Sequence, residues 1–307
     1  MKRARKPAAK SNGYMHSSYF KGMPWRHFKE FISPNADRFS ILNGILKELA
    51  LDYSVPEIAG NRHFVIAPQS EGYRSPVVLV AHYDRYEGSP GANDNSAGVF
   101  LLLETAARLK KKDEKNWIII FTDKEELKPG EGITSQGSYS LAKGLLTVKM
   151  KGAKVFCFDV CGAGDSFIIS TTLDYLLNRE GTGEKIQRSL KKLQNMALDA
   201  ARELRTIKVF LAPTPLSDDA GFFRAGLAAQ TITTLPAAEY NRLSAELRKN
   251  PEFAEVLVNA EIWKNNRTRA IPETWRILNS PGDSHLRLTP EHFRTVIRFA
   301  ETLCSDQ

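Results

Sequence analysis

One histidine and a few carboxylates, each standing just past an apolar run, are the residues in this chain with chemistry to offer. The segment AHYD sets His82 at the end of the run VVLVA, with Asp84 two residues on. A carboxylate that near can hold an imidazole through its second nitrogen, which fixes the tautomer and raises its basicity. SPGANDNSAGVF carries Asp94 in a glycine-rich loop that opens straight into an apolar helical pattern. Small residues there permit close backbone approach, and a helix start favours an anionic side chain. TDKEELKPGEG places Glu125 and Glu126 in tandem after a strand of isoleucines, and Asp159 follows the run VFCF. Each feature alone has a plainer reading: a structural strand-end histidine, a helix cap at Asp94 or Ser96, a solvated pair of acids. Together they form an oxygen and nitrogen donor set that suits zinc, manganese or cobalt better than a thiolate site would. Adjacent acids after a buried strand also allow one to bind metal while the other handles protons.

The elements that must position these residues are legible from hydrophobic period. SPVVLVAH, NWIIIFTD, AKVFCFDV, DSFIIS, KVFLAP and AQTITTLP read as strands, with HFVIAP a shorter one. GVFLLLETAARLKKKDE and TGEKIQRSLKKLQNMALDAARELR switch to helical period, as do WRHFKEFI, FSILNGILKELALDY and SYSLAKGLL. TPEHFRTVIRFAETLC closes the chain as a helix, with Thr289 as the expected N-cap and Pro290 in the first turn. Strands alternating with helices predict an α/β fold: a three-layer αβα sandwich around a mixed, largely parallel sheet. Ligands in such folds bind beyond the C-terminal ends of strands, where His82, Asp84, Glu125, Glu126 and Asp159 fall. One domain is expected over 19–307, with a flexible tail at 1–18 and a helical excursion at about 236–270.

Composition narrows the function classes. Apolar residues at 42% and charged residues at 25% are ordinary for a soluble globular protein. No stretch approaches the 18 or more apolar residues of a membrane helix, so no membrane partner is expected. The basic start MKRARKPAAKSNGYMHSS lacks an apolar segment after it, so it does not read as a secretory signal and a cytoplasmic location is expected. Cys157, Cys161 and Cys304 offer no disulfide framework and are expected as reduced structural cysteines. The net charge of +8 permits weak attraction to polyanions. It is spread over stretches such as LKKKDEK and RSLKKLQ, without aromatic interleaving or zinc-finger spacing, which argues against nucleic acid as the main partner.

From about Val77 to Phe299 the chain resembles zinc-dependent aminopeptidases of the bacterial leucyl type, which are related to glutaminyl cyclases. AHYD followed by GANDNSAG carries the resemblance, as do the EE pair followed by GSYSLA (Gly137–Ala142) and the strand-end Asp159. So does LSDDAGFFRAGLAAQTI (Leu216–Ile232), followed by LNSPGDS. The resemblance implies a phosphorylase/hydrolase-like αβα sandwich. It implies His82 and Asp159 as terminal ligands of one metal, Asp94 as the carboxylate bridging two metals, and Glu126 as a ligand of the second. Glu125 would then be the general base and acid, and Asp84 the partner that orients His82. The implied activity is release of N-terminal residues from peptide or aminoacyl substrates, with one or two Zn2+ ions, or Mn2+ or Co2+ in their place.

The chain departs from that pattern in three places. The family usually completes its metal set with a histidine, followed by Thr or Ser, Pro, a variable residue and Asp. Here the slot reads Asn279-Ser280-Pro281-Gly282-Asp283. An amide oxygen is a poorer zinc donor than imidazole, so the second position is expected to be weaker or to favour a harder ion. His285, six residues on, is either a substitute ligand or an ordinary loop histidine. Asp219 stands where relatives with Ser-Asp-His carry a histidine, and Asp218 is expected in a structural or pocket role. The loop Leu127–Gln136, carrying Glu131, is longer than usual and either reshapes the pocket or is a plain insertion. These departures keep two alternatives open: a catalytically impaired homologue used for binding, and a glutaminyl-cyclase-like acyltransferase.

Overall fold

The run VVLVAH forms a strand because its β-branched and aliphatic side chains fit a pleated surface buried on both faces. All six residues of Val77–His82 are buried. The computed structural model describes residues 19–69, 75–180, 183–205, 207–259 and 268–305. The expected tail at 1–18 and the 260–267 part of the expected excursion lie outside them. Within them an eight-stranded sheet forms from β1 (Tyr53–Ser54), β2 (Phe64–Ile66), β3 (Val77–His82), β4 (Trp117–Thr122), β5 (Lys154–Phe158), β6 (Ser166–Ser170), β7 (Lys208–Ala212) and β8 (Ala229–Leu235). The order across it is β1-β2-β4-β3-β5-β8-β6-β7. The centre, β4-β3-β5-β8, is parallel throughout. The pairs β1-β2, β2-β4 and β8-β6 are antiparallel, so the sheet is mixed with a parallel middle.

Alternation along the central strands divides the core in two. Val77, Leu79 and Ala81 point to one face with Ile119, Phe121, Phe156 and Phe158. There they meet α1 (Arg38–Glu48), α2 (Ala97–Lys111), α5 (Glu184–Leu204) and α10 (Phe293–Cys304). Val78 and Val80 point the other way with Ile118, Ile120 and Val155, onto Leu141 and Leu145 of α3 (Gly137–Thr147) and Phe222 of α6 (Asp218–Arg224). The result is the expected αβα sandwich.

Some elements differ from the pattern reading. Helix α4 (Thr172–Glu180) and α6 do not show in the hydrophobic pattern. The α6 segment DDAGFFR is two turns with a central glycine, too short for its period to register. The helical stretch after β8 is two helices, α7 (Ala237–Lys249) and α8 (Phe253–Val258). Between them lies Pro251, which has no N–H to continue a helix. After the described residues resume comes a short α9 (Glu273–Arg276). Thr289 precedes the terminal helical segment but does not cap it with its side chain. Its hydroxyl instead accepts the Gly164 N–H at 2.7 Å, tying the segment to the loop after Asp159.

An aromatic cluster fastens the N-terminal segment to the α2 and α10 layer. Trp25 stacks on Phe293 with centroids 4.5 Å apart, while Phe28 and Phe31 meet Phe100 edge-on at 5.0 and 5.3 Å. All five rings are essentially inaccessible to solvent. Removing Phe100 from α2 leaves a cavity at the centre of the cluster. Phe100→Ala should cost about 3–5 kcal/mol in urea unfolding, and a loss under about 1 kcal/mol would mean that the cluster closes up around the gap.

Candidate metal centre

Strand register brings the candidate ligands to one level. His82 pairs with Thr122, and Val80 pairs with Cys157. Asp159, two residues past Cys157, therefore stands level with His82, two residues past Val80. Glu125 and Glu126 follow the end of β4, next to β3. Asp94 enters from the loop ahead of α2, whose first turns pass close under the strand ends. Gly98 makes that approach possible: a Cβ there would stand 2.1 Å from Asn95 Oδ1 and 2.8 Å from the Phe158 carbonyl.

The structure brings His82, Asp94 and Asp159 together. One donor atom from each lies within 4.8 Å of the others. His82 Nε2 is 3.1 Å from Asp94 Oδ1 and 3.5 Å from Asp159 Oδ1, while its Nδ1 is 3.3 Å from Asp84 Oδ1. Neither ring nitrogen is aligned for a hydrogen bond. Asp84 does more than face the imidazole, since its two oxygens accept the N–H groups of Glu125 at 3.2 Å and Glu126 at 3.0 Å. One carboxylate thus faces the histidine and holds the backbone amides of both tandem glutamates.

A cavity of about 420 Å³ opens beside the cluster. Asp94, Asp159, Glu125, Glu126 and Asn279 all reach its wall. Asn279 has φ 58°, in the left-handed region that asparagine and histidine tolerate better than most residues. Val160, next to Asp159, also sits there at φ 55°, which strains a β-branched residue. Its carbonyl is held by the Thr233 hydroxyl at 3.0 Å. His285 lies in a separate turn, His285–Arg287, and is not among the described residues lining the cavity.

Three residues matter here through contacts that no local pattern shows. Asp283, from LNSPGD, accepts the Asn93 N–H at 2.8 Å and the Asp94 N–H at 3.0 Å, which fixes the Asp94 backbone. Gln136, at the end of the long loop, donates to Glu125 Oε1 at 3.0 Å and to its carbonyl at 3.3 Å. Arg38, buried on α1, contacts both loops that carry Asp84 and Asp94. Asp218 accepts from the Thr122 hydroxyl at 2.7 Å, and Asp219 accepts the Ser217 N–H at 3.1 Å; both are buried and neither reaches the cavity wall. Glu131, expected in that loop, pairs with Lys124 at 3.0 Å and stays outside the cavity wall.

Crowded acids shift each other. Burial, then the Asp94 carboxylate, lifts Glu126 to about 9. Burial lifts Glu125 well above the usual carboxylate range; His82 opposes this, and Glu126 and Asp159 reinforce it. Burial alone would depress His82, but hydrogen-bonding range to Asp159, Asp84 and Asp94 outweighs it and raises the imidazole. Asp84 is held low against its burial by His82 and the two glutamate amides. Burial raises Asp218 and Asp283 to about 6 and Asp219 to about 7.

These residues fit a divalent cation. Glu126 Oε1, Asp159 Oδ1 and Asn279 Oδ1 are buried without a hydrogen-bond partner, as are both nitrogens of His82. Buried polar atoms left in that state are costly unless something satisfies them. The donors are imidazole nitrogen and carboxylate oxygen, the set that zinc and similar ions take.

The sequence model of peptidase family M28 matches residues 62–255. No curated protein matches the sequence. Among solved structures, a zinc aminopeptidase from Bacillus subtilis is similar at 19% identity and a TM-score of 0.52, over 79% of this chain and 49% of that one. The chain therefore spans about half the length of that relative. The LapA aminopeptidase of Legionella pneumophila aligns over 99% of this chain and 79% of its own, at 15% identity and a TM-score of 0.60. A Porphyromonas gingivalis glutaminyl cyclase aligns over 94% and 96%, at 14% identity and a TM-score of 0.62. At such identities the likeness is one of fold.

The raised acids make a signed prediction for the metal-free protein. Glu126, Asp218, Asp219 and Asp283 hold protons when folded that the unfolded chain, at the ordinary 3.8 or 4.5, has released. The raised His82 acts in the same direction. Where the folded state binds more protons, stability falls as pH rises. The melting temperature of chelator-treated protein should therefore fall from pH 6 to pH 9, and added zinc should flatten that slope. A flat or rising profile without metal would contradict this account of the site.

Proposed function

Because the chain belongs to peptidase family M28, we propose that it is a metal-dependent aminopeptidase, hydrolysing the bond after the first residue of a peptide or aminoacyl substrate. One observation carries the reading: Glu125 shares a single cavity with the donor cluster Asp94 and Asp159, whose third member is His82. His82, Asp94 and Asp159 would hold one ion, zinc by preference, with manganese or cobalt as substitutes. Asp94, Glu126 and Asn279 would form a second, weaker position, because an amide oxygen is neutral. A divalent ion supplies Lewis acidity toward water and toward an amide carbonyl.

The chain's own groups do the rest. Glu125 takes the proton from the attacking water and returns it to the departing amine. The Gln136 amide holds Glu125 Oε1, and Asp84 holds the Glu125 and Glu126 amides, so the base is pinned at both backbone and side chain. The acidic wall favours a protonated N-terminal amine over a blocked one. Beside Thr214, Thr231, Thr233, Glu255 and Asn259, part of the rest of the cavity is lined by Leu176, Leu216, Leu257, Trp275 and Leu278. An apolar first side chain would lose its water against them, by about 25 cal/mol per Å² buried.

Asn279 favours a second reading, in which the protein binds peptides with little or no turnover. The two readings part on measurement. Zinc-loaded protein should release amine from leucyl anilides, chelator should stop it, and Glu125→Gln should lower kcat about 100-fold or more without loss of zinc. Leucyl and phenylalanyl substrates should outperform aspartyl ones. Asn279→His, whose left-handed backbone suits histidine, should raise bound zinc toward two per chain. No turnover on a broad aminoacyl and peptide panel would leave the binding reading, and cyclisation of glutamine-initiated peptides would favour acyl transfer instead.

A further inference from the structure

Arg38 is a buried cation outside the ligand set, and its surroundings are unusual. Asp37 caps α1 by accepting the Ser40 N–H at 3.0 Å, so Arg38 is the first helical residue. It shares one buried face with Leu42, Ile45 and Leu46. The guanidinium lies 4.8 Å from the Phe31 ring centroid and is 6% exposed. All three nitrogens donate. Nε reaches the Phe31 carbonyl at 3.2 Å, and Nη1 reaches the carbonyls of Tyr83 at 3.1 Å and Asp84 at 2.8 Å. Nη2 reaches the carbonyls of Pro90 at 2.8 Å and Gly91 at 3.5 Å and the Ser96 hydroxyl at 2.9 Å.

Apart from the Phe31 carbonyl, those acceptors belong to two separate stretches. One is the exit from β3 carrying His82 and Asp84; the other is the loop carrying Asp94. A planar five-donor fork can hold two backbone segments at a fixed spacing, which an ammonium on a flexible stem cannot. Gly91 completes the fit, with φ 59° and a Cβ position that would stand 3.0 Å from Arg38 Nη2 and 2.7 Å from the Asp94 carbonyl.

We propose that Arg38 is a positioning residue for the metal cluster: its guanidinium clamps the Tyr83–Asp84 turn to the Pro90–Ser96 loop and so sets the distance between His82 and Asp94 before any ion arrives. The inference rests on reading His82, Asp94 and Asp159 as metal ligands. Its sign separates it from a charge effect. Arg38 stands near Asp84, Asp94 and Asp283, so removing its positive charge would by electrostatics alone tighten cation binding. Removing the clamp loosens it.

Zinc affinity of metal-free full-length protein, measured by competition with a chromophoric chelator, decides between them. Arg38→Lys keeps the charge and loses the fork, and should bind zinc at least tenfold more weakly. Arg38→Ala should be at least as weak, and millimolar guanidinium should restore it where equal sodium chloride does not. Arg85→Ala serves as the control. Arg85 donates to the Ile32 and Ser33 carbonyls but to no residue of the 90–96 loop, and its loss should leave affinity unchanged. If Arg38→Ala fails to fold, Arg38→Lys decides alone. Unchanged or tighter binding in Arg38→Lys would overturn the proposal. Wild-type protein that binds zinc without turnover would sink only the catalytic reading, whereas protein that binds no divalent ion would sink both.

Discussion

Repulsion among carboxylates gathered around one imidazole is the constraint that the rest of this protein answers. Asp84, Asp94, Asp159, Glu125, Glu126 and Asp218 converge on His82 at one end of the sheet. Taking a single ion from water into such a place costs several kcal/mol unless it is paired or well hydrogen-bonded. The fold answers acid by acid. Asp84 receives two amides, Asp283 receives two more, Asp218 takes a threonine hydroxyl and Asp219 a backbone N–H. All of these donors except the Thr122 hydroxyl are backbone N–H groups, so satisfying those acids also fixes the path of the chain around them. Oxygen atoms of Glu126, Asp159, Asn279 and the second oxygen of Asp218 are left without a partner. Order and charge are supplied by the same contacts.

Much of this was legible because it rests on local pattern. The central strands announce themselves by β-branched runs, and parallel pairing follows from their alternation with helices. Once register is known, His82 and Asp159 must be level. The tandem glutamates could be placed for the same reason, as they sit one short step past a strand. Long-range polar contacts were not legible. Nothing local marks Arg38 as buried: it follows a helix cap, where arginine is usually solvated, and all its partners but the Phe31 carbonyl lie 45 to 58 residues away. Gln136 ends a loop whose length hid its aim. Thr289 looked like a cap by position, yet its hydroxyl serves the chain 125 residues earlier. Such roles depend on which loops meet, and only the folded sheet decides that.

Asn279 shows how a backbone requirement and a ligand requirement can part. The position needs a residue content with positive φ, and both asparagine and histidine meet that need. The turn would be preserved with either residue, while the donor offered to the cavity would be an imidazole in one case and an amide in the other. A cation at the proposed second position would register that difference, and the backbone would not.

Asp283 has a consequence in time. Its carboxylate holds the Asn93 and Asp94 amides from 190 and 189 positions further along the chain. A ribosome delivers His82, Asp94 and Asp159 long before it delivers Asp283. Until then the strands that carry these ligands can pair while the loop bearing Asp94 lacks its anchor. A partly synthesised chain thus holds His82, Asp94 and Asp159 without the brace that aligns one of them, and the cluster is completed only once Asp283 has been added.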